Sequence, residues 1–255
     1  MKENREQTKT QDEELIFGRN PVTEALKSGR EIAKILIQKG AGGSVGKILH
    51  MAKERGVPVC DENKVNLDKK SAGTPHQGVA AVISPYKYCS VEEILALAKK
   101  REESPFIIIA DGIEDPHNLG AVMRTAECAG AHGIIISKRR ASGVTGTVAK
   151  SSAGAVEYLP CARVANIART VDMLKEQGLW LYACDMDGDT YYKADMKGPM
   201  ALVIGNEGSG ISRLVKAKCD FVVSIPMLGR ISSLNASNAA AVLMYEIRKQ
   251  RDEVL

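Results

Sequence analysis

Apolar residues in this chain fall into two kinds of run. Short blocks of continuous or alternating apolar residues occupy 32–38, 57–60, 78–83, 106–111, 133–137, 179–185, 201–205 and 221–226, and each predicts a strand. Between them apolar residues recur every three or four positions, which predicts helices over 18–29, 45–56, 64–70, 91–103, 118–130, 144–154, 164–178 and 234–250. In the first helix Asn20 is the expected cap, Pro21 suits the first turn and Gly29 follows the end. Continuous apolar strands separated by helices predict an α/β fold with a mostly parallel sheet covered on both faces.

The pattern also divides the chain. Residues 1–13 are polar and charged after Met1 and are expected to be disordered. Residues 14–84 form a small α/β unit, 85–104 a linker and a helix, and 105–255 the larger α/β domain.

Composition refines this picture only in places. The chain has 255 residues, 44% of them hydrophobic and only 4% aromatic, so Val, Ile, Leu, Met and Ala must fill the core. A net charge of +4, with neither a basic nor an acidic tail, allows an RNA partner through local patches such as Lys138, Arg139 and Arg140. The same three residues also suit a plain solvated loop. The low aromatic content disfavours a base-stacking platform. The six cysteines form no C-x-x-C pair, so no metal site is expected, and Cys60, Cys128 and Cys184 read as reduced, buried thiols of a cytoplasmic protein. No apolar run is long enough to span a bilayer.

Two glycine-rich loops fail common tests. In "KGAGGSVGK" (39–47) Ala41 stands where a triphosphate-binding loop needs its first Gly, and Ile48 where it needs a Ser or Thr for magnesium. "GNEGSG" (205–210) has the wrong glycine order for a dinucleotide loop, although a glycine loop after a strand still permits backbone contact with a ligand.

Three strand-to-loop stretches converge at the carboxyl edge of the sheet, where open α/β sheets bind ligands. In the first, Asn118 is placed to cap a helix whose core face is Leu119, Val122, Met123 and Ala126. Arg124 projects away from that face with Gly120 and Glu127. A solvated Arg124–Glu127 pair is the plain reading of that arginine. The second carries Glu207. In the third, Ser233 or Asn235 reads simply as an N-cap.

Together the stretches "DPHNLGAVMRTA", "ALVIGNEGSGIS" and "IPMLGRISSLNASNAAAVLMYE" resemble the SpoU family of RNA 2′-O-ribose methyltransferases, part of the SPOUT class. "FGRNPVTEAL" and "HQGVAAV" resemble the small ribosomal-protein-like RNA-binding domain of its ribosomal RNA members. The resemblance implies a SPOUT-type sheet with a C-terminal trefoil knot, against the general rarity of knots. It implies a homodimer and S-adenosylmethionine as cofactor, held near Gly205, Ile225 and Leu234, with Met227 and Ser233 as further lining. It implies that Arg124, Asn118, Glu207, Ser233 and Asn235 serve catalysis. Arg124 is the family's proposed base; a guanidinium, effectively always charged, more readily clamps phosphate and stabilises negative charge on the 2′-oxygen. The implied substrate is a guanosine in the peptidyl-transferase P-loop of 23S rRNA. Transfer RNA, another rRNA nucleotide, or a non-catalytic role in ribosome assembly are the alternatives.

Overall fold

The structure, a computed structural model, describes residues 14–83 and 86–252. The tail over 1–13, expected to be disordered, lies outside them. The chain falls into two units, Met1–Tyr86 and Lys87–Leu255.

In the first unit, strands β1 (Glu14–Phe17), β2 (Ile32–Gln38), β3 (Val59–Glu62) and β4 (Val79–Ile83) lie in the order β1-β4-β2-β3. β4 runs antiparallel to β1 and β2, and β3 parallel to β2. Helices α1 (Arg19–Lys27), α2 (Val45–Glu54) and α3 (Lys64–Ser71) bury Leu26, Ile48 and Leu67 in this unit's core. β1 is too short to show a period, and its pairing with β4 creates it. β1 also displaces the expected cap of α1. A single residue, Gly18, joins β1 to α1 at φ +102°, a conformation open to glycine, and its N–H bonds to Val79 O at 3.0 Å. Asn20 therefore lies inside the first turn and caps nothing. β3 starts two residues later than expected, because its parallel register sets Val59 opposite Ile35.

The second unit begins with α4 (Val91–Lys100). Its Ile94 packs where a Cβ on Gly133 would come within 2.7 Å, so β6 needs glycine there. The sheet has six strands, β5 (Phe106–Asp111), β6 (Gly133–Ser137), β7 (Cys161–Val164), β8 (Trp180–Thr190), β9 (Met200–Gly205) and β10 (Phe221–Ser224). Their order is β10-β8-β9-β5-β6-β7, and every pairing is parallel. One face of the sheet buries Ile107, Ile109, Leu181 and Val203 with Ile94, with Val171 and Leu174 of α7 (Ile167–Glu176) and with Val215 of α8 (Arg213–Lys218). The alternate residues Phe106, Ile108 and Leu202 face the other side. There α5 (Pro116–Cys128) and α9 (Ala236–Asp252) pack together. Arg251 anchors the end of α9, donating to the carbonyls of Ser104, Pro105 and Gly198 and lying over the Phe106 ring.

Several expectations need correction. β7 and α8 lacked a clear period. Residues 161–164 form an edge strand, so Val164, expected to open the helix, ends that strand, and the helix starts only after the Asn166 cap. Gly120 is buried, not off the core. A Cβ there would sit 1.8 Å from Ser151 Oγ on α6 (Gly146–Ser151), and such close helix contact admits only glycine. Cys60, on edge strand β3, and Cys128, in the last turn of α5, are exposed, whereas Cys161 is the buried thiol. Among the described residues no helix is long and apolar enough to cross a membrane.

His132 yields a stability prediction. Its ring is buried, with Nδ1 accepting from Phe106 N at 3.0 Å and Nε2 2.9 Å from Glu103. Burial lowers its pKa below the ordinary 6.5 and outweighs the raising effect of Glu103. The unfolded chain therefore binds this proton at higher pH than the folded one. His132 leaves stability intact above about pH 6.5 and erodes it as the pH falls towards the folded value. Denaturation midpoints at pH 7.5 and 5.5 should differ more in the wild type than in His132→Asn, which can keep an acceptor for Phe106 N–H. An equal difference in both refutes the assignment.

Candidate active site

Strand β9 delivers the first part of the site. Immediately after it the chain folds back in a tight turn, with Asn206 N bonding Gly210 O at 3.1 Å and Gly210 N bonding Asn206 O at 2.9 Å. A Cβ on Gly205 would meet the Gly210 carbonyl carbon at 2.2 Å and Ile211 N at 2.3 Å. The loop therefore needs glycine at 205 to close on its own returning arm, a reason distinct from the ligand approach expected from sequence. Asn206, which sequence reasoning passed over, is the latch. Its Nδ2 donates to Gly112 O at 2.9 Å, and its Oδ1 accepts from Gly208 N at 2.8 Å and Ser209 N at 3.3 Å. Asp111 adds a second tie by accepting from Ser212 N at 2.8 Å. Only the glycine spacing in "GNEGSG" signalled such a turn.

Helix α5 delivers the second part. Its N-cap is Asp115, which accepts from His117 N at 3.0 Å, with Pro116 in the first turn. Asn118 is therefore not the cap. It lies within the first turn, 8% exposed, and its Nδ2 donates to Glu207 Oε1 at 2.5 Å. The third part comes from the start of α9. Asn235 Oδ1 accepts from Ser237 N at 2.9 Å and from Asn238 N at 3.3 Å, as a cap does. Its Nδ2 donates to Asn118 Oδ1 at 3.1 Å and also to Glu207 Oε1. The capping role and the site role of Asn235 are thus both present, one on each end of its amide.

Two amides from two helices therefore fix one carboxylate. Glu207 Oε1 takes both donors, while Oε2 has no hydrogen bond among the described residues, so it remains open to a hydroxyl. Beside the cluster lies a cavity of about 440 Å³, within the size range of small-molecule sites. Gly205, Glu207, Ile225, Met227, Ser233 and Leu234 all line it, and β8 adds Cys184 and Met186, neither of which the sequence had placed in the site. Among the described residues no Lys or Arg lines it. Main chain, aliphatic side chains and two carboxylates, Asp185 and Glu207, suit a ligand with an apolar body and a positive centre. Burial pushes the Cys184 thiol up to about 11, so it stays protonated at neutral pH.

Arg124 is not part of this cluster. It is exposed, six residues beyond Asn118 on α5, hence about 120° round and about 9 Å along the axis. It forms no ion pair with Glu127 in the structure. Ser233 lines the cavity without joining the amide–carboxylate cluster.

The SpoU rRNA methylase family matches residues 105–245, and the RNA 2′-O-ribose methyltransferase substrate-binding domain matches residues 15–89. The chain belongs to the SpoU family. It is an RNA 2′-O-ribose methyltransferase, with both the catalytic and the substrate-binding part present. A Bacillus subtilis protein, YacO, named as a TrmH family tRNA/rRNA methyltransferase, is 44% identical over 96% of this chain and 99% of its own. The SpoU methyltransferase AviRb of Streptomyces viridochromogenes has the same architecture. Its structure matches 95% of this chain and 91% of that one with a TM-score of 0.80 at 28% identity. A second AviRb structure, in complex with AdoMet, matches 94% and 90% with a TM-score of 0.77 at 28% identity.

The Gly205 contact gives this SpoU protein a direct test. Gly205→Ala cannot fit without moving the Gly210–Ile211 backbone, so the turn that positions Glu207 must open. S-adenosylmethionine affinity, read by calorimetry, is expected to fall at least about tenfold, in line with the roughly 1–3 kcal/mol cost of overpacking. An unchanged affinity would separate the turn from the binding site.

Proposed function

We propose that this protein transfers the methyl group of S-adenosylmethionine to the ribose 2′-oxygen of a guanosine in the peptidyl-transferase P-loop of 23S rRNA, acting as a homodimer. The observation that carries the site assignment is the Asn118–Glu207–Asn235 cluster at the rim of a cation-free cavity. When bound, the cofactor supplies an activated methyl group on a positively charged sulfur.

The chain's own residues supply orientation and charge. Backbone near Gly205, Ile225 and Leu234 holds the cofactor, with Met227 and Ser233 completing the wall. Asn118 and Asn235 hold Glu207 so that its free oxygen can accept the ribose hydroxyl proton or orient that hydroxyl. Preorganised positioning of this kind can supply several kcal/mol. The neutral Cys184 thiol offers no competing nucleophile. Arg124 stabilises charge developing on the 2′-oxygen and clamps the adjacent phosphate. Since it stands outside the single-chain cluster, that role belongs to the complete assembly with RNA and a second copy in place.

The homodimer reading draws support from apolar side chains left in solvent. Leu228 is 100% and Ile231 76% exposed in the loop before α9, and Val242 and Tyr245 are exposed one turn apart on α9. The family's trefoil knot forms part of the same proposal. A ribosomal substrate is favoured by the family description matched over 105–245 and by the substrate-binding domain over 15–89. Transfer RNA is the second reading, since YacO is named for both RNA classes.

Mapping ribose methylation across the RNA of cells with and without the protein decides between these. Loss of one 23S guanosine methyl group supports the proposal. Loss confined to tRNA, or to another rRNA nucleotide, replaces it.

A further inference from the structure

We propose that a second cleft, opening across the 206–210 turn from the cofactor cavity, seats RNA backbone phosphates next to the target nucleotide. The idea rests on the RNA methyltransferase reading above and adds the surface that grips the substrate. The cleft has a volume of about 710 Å³ and shares Asn206, Ser209 and Gly210 with the turn. Its basic side chains are Arg139, Arg140, Arg213 and Lys216. The two hollows thus differ sharply in charge: the cofactor cavity has no basic side chain, and this one has four.

Part of the neighbouring negative charge is already paired. Asp185 is 2.9 Å and Asp187 3.3 Å from Lys216, and Asp111 accepts from Ser212 N. Asp111 and Glu114 keep their charge among the acidic lining residues, against the three guanidiniums. Arg139, Arg140 and Arg213 are exposed and form no ion pair among the described residues. Three unneutralised guanidiniums on one cleft suit a polyanion, because each can bind a phosphate through two parallel N–H donors.

The loop that carries two of them is held in place. Lys138 N bonds Val164 O at 2.8 Å, Arg139 N bonds Ser137 Oγ at 3.2 Å, and Ser142 N bonds Ile113 O at 2.8 Å. Within it Arg140 adopts φ +51°, a left-handed conformation that an arginine occupies at a cost. A solvated loop has no need of such bracing; a surface that must meet phosphates at fixed spacing does. The turn between the two hollows carries Glu207, so RNA gripped in the cleft would present a ribose across that turn.

The test uses the full chain as Arg139→Ala/Arg140→Ala and as Arg213→Ala, with thermal midpoints confirming folding. Binding of a 23S rRNA transcript is measured across a potassium chloride series, and S-adenosylmethionine binding by calorimetry. The double variant is expected to bind RNA at least about tenfold more weakly. Its slope of log affinity against log salt should fall by about one for each phosphate that is no longer neutralised. Cofactor affinity should stay within about twofold, and kcat at saturating RNA within about threefold while KM rises. An unchanged salt slope overturns the proposal, and weakened cofactor binding with intact RNA binding assigns the cleft to the cofactor instead. Should the wild-type chain methylate no RNA, the enzyme reading fails, while the salt slopes still decide the cleft.

Discussion

Arg124→Ala is expected to lower methyl transfer about a thousandfold while leaving fold and cofactor affinity almost untouched. The arginine is exposed and forms no hydrogen bond or ion pair among the described residues, so its removal breaks none. Stability should change by no more than about 0.5 kcal/mol, as for other surface substitutions. Nor does Arg124 line the cavity, so equilibrium binding of S-adenosylmethionine should hold within about twofold. The whole effect should therefore fall on the transition state, where removing one donor to developing negative charge typically costs about a hundred- to a thousandfold. Arg124→Lys separates the two roles open to this side chain. If the residue works by charge, lysine should restore part of the rate, with a pH–rate profile parallel to the wild type. If it takes the proton, the lysine variant should show a new pH dependence set by the ammonium group. Activity in Arg124→Ala within tenfold of the wild type would remove the residue from the mechanism.

The contrast between Arg124 and Asn118 shows how far the sequence could be read. The core face of α5 was legible because Leu119, Val122, Met123 and Ala126 follow the helical period, and all four are fully buried. The strands over 106–111 and 133–137 were equally plain, since buried parallel strands are unbroken apolar blocks. Periodicity does not say which polar residue caps a helix when several stand in a row. Asp115 won over Asn118 because Pro116 fits the first turn only if the helix starts there. That shift turns Asn118 inward to meet Glu207, a partner 89 positions away along the chain that no local pattern encodes. Gly205 and Gly120 were visible as glycines, but their reasons are tertiary: a returning backbone in one case and the Ser151 hydroxyl of α6 in the other. Strand β7 and helix α8 are short and half exposed, so their neighbours decide them. Residues 201–212 indicated only that a glycine loop after a strand permits a ligand to approach. Asn206 as the latch depended on Gly112 arriving from another strand end.

Asn235 gives the second large effect, because one side chain serves two ends of the site. Asn235→Ala removes the acceptor that caps α9, worth about 1 kcal/mol, and one of the two amide donors on Glu207. With only Asn118 left to hold it, the Glu207 carboxylate gains rotational freedom, and methyl transfer should fall about a hundredfold. Asn235→Asp separates these losses. An aspartate still accepts from Ser237 and Asn238, so the cap survives, and near pH 6, where one carboxyl holds a proton, stability should recover most of the loss. The donor, however, becomes a second carboxylate against Glu207. Two such groups at hydrogen-bond distance cannot both stay ionised at low cost, and one of them takes up a proton at raised pH. In that singly protonated form the aspartic acid can donate to Glu207 much as the amide did. The Asp variant should therefore be poorly active at pH 8 and regain activity as the pH falls towards 6, opposite to the Ala variant, which has no group to protonate. Initial rates of both variants between pH 6 and 8, at saturating cofactor and RNA, read the difference. Parallel profiles would mean that Asn235 acts only as a helix cap, and that its bond to Glu207 does nothing for the reaction.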